Sequence, residues 1–227
     1  MASNAVPGFL PSIHGFRFAN SWPSGPAREW HLGLVHLGIG DVGRGLCGGM
    51  AFVAADRFSR GVAPPVEEAA PAFGEATFRE IVDRQFDSFG RLFQVPARFA
   101  LAAFWSQRHR TRHAVRTAWP TIRADIDGGQ LSMVGLVRRS GFALGAPDFG
   151  HQVVAYRYDA SPERVTIGVY DPNHPGDDTV ELVLDRAADG SISLGQSTGE
   201  PLLGLLALPW TPTEPRPPEP EATPASG

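Results

Sequence analysis

The chain has 227 residues, 42% apolar and 19% charged, with a formal net charge of −4. That is the length of one domain with tails, and its apolar content rules out a wholly disordered chain. No apolar run reaches the roughly 20 residues of a membrane-spanning helix, and the acidic balance argues against a general nucleic-acid binder. All 20 basic residues are arginine, which carries no functional reading.

The first 44 residues are rich in Gly and Pro. Residues 15–19 suit an edge strand, residues 20–26 read as turns, and residues 31–39 as a loop or irregular strand because of their glycines. The opening segment lacks a basic n-region and an apolar h-region, so a Sec signal peptide is not expected and the chain reads as cytoplasmic, or exported by another route.

Residues 45–60 predict the first helix, with Cys47, Met50, Ala51, Ala54 and Phe58 spaced as a buried stripe. Gly61, Pro64 and Pro65 stop it, and a Pro/Ala/Glu-rich loop follows. A second helix is expected over 75–89 with Phe78, Ile81, Val82, Phe86 and Phe89 inward, and a third over 96–107. The run Arg108-His109-Arg110-Thr111-Arg112-His113 reads as a basic, solvated connector. A fourth helix covers about 118–127, with Pro120 in its first turn and Gly128-Gly129 closing it.

The period then changes. Residues 131–137, 151–158 and 165–170 are β-branched and aromatic, and 181–184 with 191–194 form a further hairpin around Ala188-Asp189-Gly190. Helices first and strands later predict an α+β domain over residues 1–208. From residue 209, seven of nineteen residues are Pro, so residues 209–227 are expected to be a tail with few contacts to the domain.

Cys47 is the sole cysteine, which excludes an intramolecular disulfide and any multi-Cys zinc site. A lone Cys is either a small buried hydrophobe or a nucleophile. Its place in Gly45-Leu46-Cys47-Gly48-Gly49-Met50 puts it at a helix start, where free N–H groups and the helix dipole favour thiolate. Gly48 and Gly49 each cost a helix roughly 1 kcal/mol relative to Ala. Their use would be to let another backbone or a substrate approach the sulfur.

His151 opens one strand and Asp171 ends the next. If residues 160–162 form the hairpin loop, Asp159 pairs with Glu163 and His151 falls opposite Asp171, on one face of the sheet. The carboxylate would then orient the imidazole, whose other nitrogen would take a thiol proton. Taken singly, His151 suits a half-buried strand residue and Asp171-Pro172 a turn. His174 with His151 and Asp171 matches no metal-ligand spacing, and Asp171-Pro172-Asn173-His174-Pro175 is turn chemistry, so no metal or other cofactor is expected.

The order Cys47, then Asp127-Gly128-Gly129 before a strand, then His151-Gln152-Val153-Val154-Ala155-Tyr156-Arg157-Tyr158-Asp159, then Asp171-Pro172, resembles the papain-like cysteine peptidase superfamily. The nearest flavour is the bacterial peptidases that cleave double-glycine leader peptides. Gly-Gly-Met after the Cys and Tyr-Asp-Pro-Asn-His-Pro also resemble an uncharacterised bacterial protein group. The resemblance covers about residues 45–175 and implies a papain-like fold acting on a peptide or protein substrate. By motif, Cys47 would be the nucleophile, His151 the general base and acid, and Asp171 the orienting group. The superfamily places a Gln six residues before the Cys as oxyanion donor, and here that position is Asp41, where a carboxylate would repel the oxyanion. Asn20 or the Cys47 N–H would replace it, with Gly48 and Asn173 nearby. Three readings follow: a thiol hydrolase or acyl transferase, a catalytically incomplete interaction module on the same fold, and a deamidase- or transglutaminase-like effector.

Overall fold

A computed structural model describes residues 1–32, 35–41, 43, 45–90, 94–140 and 150–215, with no side-chain description over 26–41. A short strand, β1 (Ala2–Ala5), and a helical turn, α1 (Pro11–His14), lead into a hairpin of β2 (Pro26–Leu32) and β3 (Val35–Asp41). The helices α2 (Cys47–Ser59), α3 (Ala76–Ser88) and α4 (Gln94–Phe104) follow. A continuous helical run then comprises α5 (Gln107–His113), a π-helical turn (Ala114–Ala118) and α6 (Trp119–Asp127). The strands β4 (Ser132–Val137), β5 (Gly150–Ala160), β6 (Arg164–Tyr170), β7 (Glu181–Arg186), β8 (Ile192–Gln196) and β9 (Gly204–Leu208) complete the α+β domain. They form an antiparallel sheet in the order β8-β7-β6-β5-β4-β9, with β1 on the far end of β5.

α2 is the central helix. All nine residues from Gly48 to Asp56 are buried, not one stripe. One side, with Ala51, Phe52, Ala54 and Ala55, packs into the sheet core around Val153, Ala155 and Tyr170. The other, with Met50 and Val53, joins Phe16, Phe18, Trp22, Phe78 and Ile81 in a second core. A helix covered on both sides has no polar face to show in its periodicity.

The helical glycines allow this placement. A Cβ on Gly49 would lie 2.0 Å from the Ile81 carbonyl oxygen of α3, and one on Gly48 would lie 2.4 Å from Ser88 Oγ and 2.7 Å from Gln152 Nε2. Close approach of another backbone is therefore what Gly49 serves. Gly49→Ala should lower stability by about 1–3 kcal/mol in urea unfolding, against the propensity gain, because the obstacle is backbone and cannot rotate away. An unchanged midpoint would mean α2 and α3 are less tightly apposed.

Several expectations are corrected. Residues 15–19 are not a strand. Residues 31–32 and 35–39 are regular strand, in β2 and β3. The run 108–113 is helical, anchored by Arg110, which is buried and donates to the Ala102 and Ala103 carbonyls. Pro120 does fall in the first turn of α6, as expected, but α6 continues the helical run from α5, so Pro120 cannot donate to the Arg116 carbonyl. The run widens just before it, with Trp119 N–H bonded to the Ala114 carbonyl. β9 was not foreseen at all.

The tail begins later than residue 209. Asp56, buried in α2, pairs with Arg84 Nε at 2.7 Å and accepts from Trp210 Nε1 (3.0 Å), Thr213 N (3.2 Å) and Thr213 Oγ1 (3.0 Å). Arg84 donates in turn to the Thr211 carbonyl. A buried carboxylate needs these donors, and each such bond is worth about 1.5–3 kcal/mol gross. Cutting the chain after Leu208 is expected to cost about 2–4 kcal/mol, seen as a clear drop in thermal midpoint. An unchanged midpoint would show that residues 210–213 contribute nothing to the fold. Residues 216–227 lie outside the described part.

Candidate active site

Cys47 is the first residue of α2 and half-buried. Just before it, Gly45 takes φ +85°, and a Cβ there would lie 2.6 Å from Asn20 Nδ2. Glycine thus sets both the entry to the helix and the close approach of Asn20. Asn20 is fixed from three sides. Its N–H donates to the Pro172 carbonyl, its Oδ1 accepts from Leu46 N–H, and its Nδ2 donates to Asn173 Oδ1 at 3.1 Å. At the helix N-terminus Gly49 N–H is capped by Gln85 Oε1. Among the described residues, the N–H groups of Cys47 and Gly48 have no acceptor.

His151 and Asp171 come together by a route other than direct opposition. The β5–β6 register pairs Asp159 with Thr166 and Arg157 with Gly168, then shifts by one residue, pairing Ala155 with Val169 and Val154 with Tyr170. Continued one step, it puts Val153 opposite Asp171, so His151 is the diagonal neighbour, two residues on and on the same face. The shift is a bulge at Tyr156. Without it Asp171 would oppose Val154 and face away from His151. The bulge is held by the Val6 N–H bond to the Tyr156 carbonyl and by the Tyr156 hydroxyl on the Asp178 carbonyl.

His151 Nε2 donates to Asp171 Oδ1 at 2.6 Å. Asp171 is fully buried; Oδ1 also accepts from Asn173 N–H at 2.9 Å, and Oδ2 accepts from Gln196 Nε2 at 3.0 Å and faces Arg138 at 3.8 Å. With Nε2 engaged, Nδ1 is the nitrogen left for the sulfur, and Cys47 and His151 act on each other electrostatically.

The electrostatics follow from these contacts. Burial pushes the Cys47 thiol up, but the neighbouring His151 charge and polar surroundings outweigh it, and the net shift is downward. Burial disfavours charge on His151, yet Asp171 and Cys47 raise it from 6.5 to about 10. Burial likewise raises Asp171, and His151 with the donors around it brings it down to about 2. These contacts favour a thiolate–imidazolium pair backed by a carboxylate.

The pair opens onto a cleft of about 390 Å³ lined by Asn20, Ser21, Cys47, Arg138, His151 and Asn173, among others. Of the residues expected at the site, Cys47, His151, Asp171, Asn20 and Asn173 are brought together. Gly48 lies behind them against Ser88 and Gln152. Asp41 ends β3; its side chain and the segment Pro147-Asp148-Phe149 fall outside the described residues. Sequence reasoning missed Arg138 and Gln196, which arrive from just past the end of β4 and from the end of β8 with no local motif. His174 bonds Glu200 at 2.7 Å. Among the described residues no group of three His, Cys, Asp or Glu is arranged to hold a metal ion, and no helix is long and apolar enough to cross a membrane.

Comparison with protein-family models, with curated proteins and with solved structures finds no match to this chain.

Proposed function

We propose that this chain is a papain-like thiol hydrolase or acyl transferase acting on a peptide or amide bond. The observation that carries the reading is that Cys47 and His151 line one open cleft and act on each other electrostatically, with His151 hydrogen-bonded to the buried Asp171. A papain-like architecture is supported by the cysteine at the start of a buried helix, packed on an antiparallel sheet that supplies His and Asp from successive strands.

In this reading the Cys47 thiolate attacks the substrate carbonyl carbon, and the carbonyl π electrons move to oxygen. As the C–N bond breaks, His151 delivers its Nδ1 proton to the leaving amine, giving a thioester and neutral imidazole. Water or an amine then attacks the thioester while His151 takes its proton, and the thiolate leaves to restore the ion pair. Asp171 keeps Nε2 protonated and the ring aimed at the sulfur throughout. The oxyanion is met by Cys47 N–H and by the second hydrogen of Asn20 Nδ2, the first being used on Asn173.

The test is a fluorogenic peptide-amide library, read with intact-mass detection of acyl-enzyme. Wild-type protein should turn over some members and show an acyl adduct on Cys47, and Cys47→Ala should do neither. Absence of turnover and adduct across the library would favour an interaction module on the same fold.

A further inference from the structure

A second surface lies away from the cleft. The helical run over 107–118 and the β7–β8 hairpin enclose a groove of about 620 Å³. Arg108, Arg112 and Arg116 stand along its helical wall and Arg186 on the hairpin side. All four are exposed, and none of the four guanidinium groups has an ion-pair or hydrogen-bond partner among the described residues. This is four unpaired cations together on a chain of net charge −4. The carboxylate at the hairpin tip, Asp189, is occupied by Ser191 N–H and Oγ. Elsewhere, exposed arginines such as Arg123 and Arg164 are paired within the fold.

The groove has two further features. On the sheet side it is walled by the β7–β8 turn and the start of β8, which among the described residues pairs with β7 alone and is an edge strand. It also adjoins a hollow of about 170 Å³ whose apolar wall is Val115, Trp119, Val165, Leu184 and Ile192, with Glu163, Arg164 and Arg186 also lining it. The arginines recur every four residues, a rise of about 6 Å along a helix. Alternate residues of an extended chain recur at about 6.6–6.8 Å.

We propose that this groove binds an extended acidic peptide segment of a partner protein, with Arg108, Arg112, Arg116 and Arg186 meeting carboxylates at alternate positions and the Trp119–Ile192 hollow taking an apolar side chain. The acidic chain as a whole repels a long polyanion, and the apolar hollow has no use for a phosphodiester backbone, so a short acidic segment fits better than nucleic acid.

The experiment is fluorescence anisotropy on the full chain with a labelled peptide of alternating Glu and Val, its Gln/Val counterpart and a single-stranded RNA of equal charge. The Glu peptide should bind at 50 mM salt and weaken about tenfold by 300 mM. The Gln peptide should bind at least about tenfold more weakly. The Arg112→Glu, Arg116→Glu double variant should lose about tenfold or more, and the milder Arg108→Gln, Arg186→Gln pair about 2- to 5-fold per site. Iodoacetamide labelling of Cys47 at wild-type rate reports that each variant is folded. The proposal is overturned if the Glu peptide does not bind at millimolar concentration. It is equally overturned if binding is indifferent to both arginine pairs, or if the RNA binds more tightly than the peptide.

Discussion

Replacing His151 by Ala is expected to be the most damaging single change at the site. The variant loses the proton donor for the leaving group, worth about 10²–10⁴ in rate for general acid–base catalysis. It also loses the charge that holds Cys47 as thiolate, so the thiol returns toward the free value of about 8.5 or, given its burial, above it. Turnover of any peptide amide that the wild type cleaves should fall at least by that factor, and iodoacetamide labelling at pH 6 should slow in parallel. Asp171→Asn should reduce turnover while slowing labelling less, because Asp171 acts by holding the ring. A His151→Ala protein that labels at the wild-type rate would mean the imidazole does not set the state of the sulfur.

Asn20→Asp should lower kcat by about 10²–10³, the usual cost of removing one oxyanion donor. The aspartate still accepts from Leu46 N–H, so the approach to α2 is preserved; both Nδ2 hydrogens are lost, the oxyanion donor and the one on Asn173 Oδ1. Thermal stability should stay close to wild type. Alkylation of Cys47 at pH 8 should also fall far less than turnover does, since alkylation forms no oxyanion. A variant that keeps full turnover would remove Asn20 from the chemistry and leave Cys47 N–H as the donor.

His151 and Asp171 show how the sequence can be right about a site and wrong about its cause. Both residues were legible from their places at strand ends. The hairpin loop was set too early, which put the register off by three residues near the turn. The bulge at Tyr156 takes back one of the three, leaving a difference of two, and two residues preserve the face of a strand. No turn signal marks that bulge; it depends on β1 and the Asp178 carbonyl, both remote in sequence. The strands with alternating or β-branched runs, β4 to β8, and the helices α2, α3 and α6 were readable because their signals are local. β9 was hidden because Leu205, Leu206 and Leu208 are buried under neighbouring elements and show no alternation. The arginine run read as a connector because its one inward residue, Arg110, is itself charged, and its burial depends on the Ala102 and Ala103 carbonyls. The docking of residues 210–213 on Asp56 is equally non-local, since a Pro-rich stretch gives no hint that a buried carboxylate awaits its donors.

The most direct test of the account is the pH profile of Cys47 alkylation in the wild-type chain, where the single cysteine makes the signal unambiguous. Thiolate exists above the lowered Cys47 pKa, and imidazolium persists up to about pH 10. Between those limits the ion pair is the resting state, so the rate should be nearly flat from near-neutral pH to about 9 and fall only on the acid side. At pH 6 it should exceed that of a free thiol by about tenfold or more. A rate that instead climbs about tenfold per pH unit toward 8.5, as a free thiol does, would contradict the Cys47–His151 ion pair and with it the proposed chemistry.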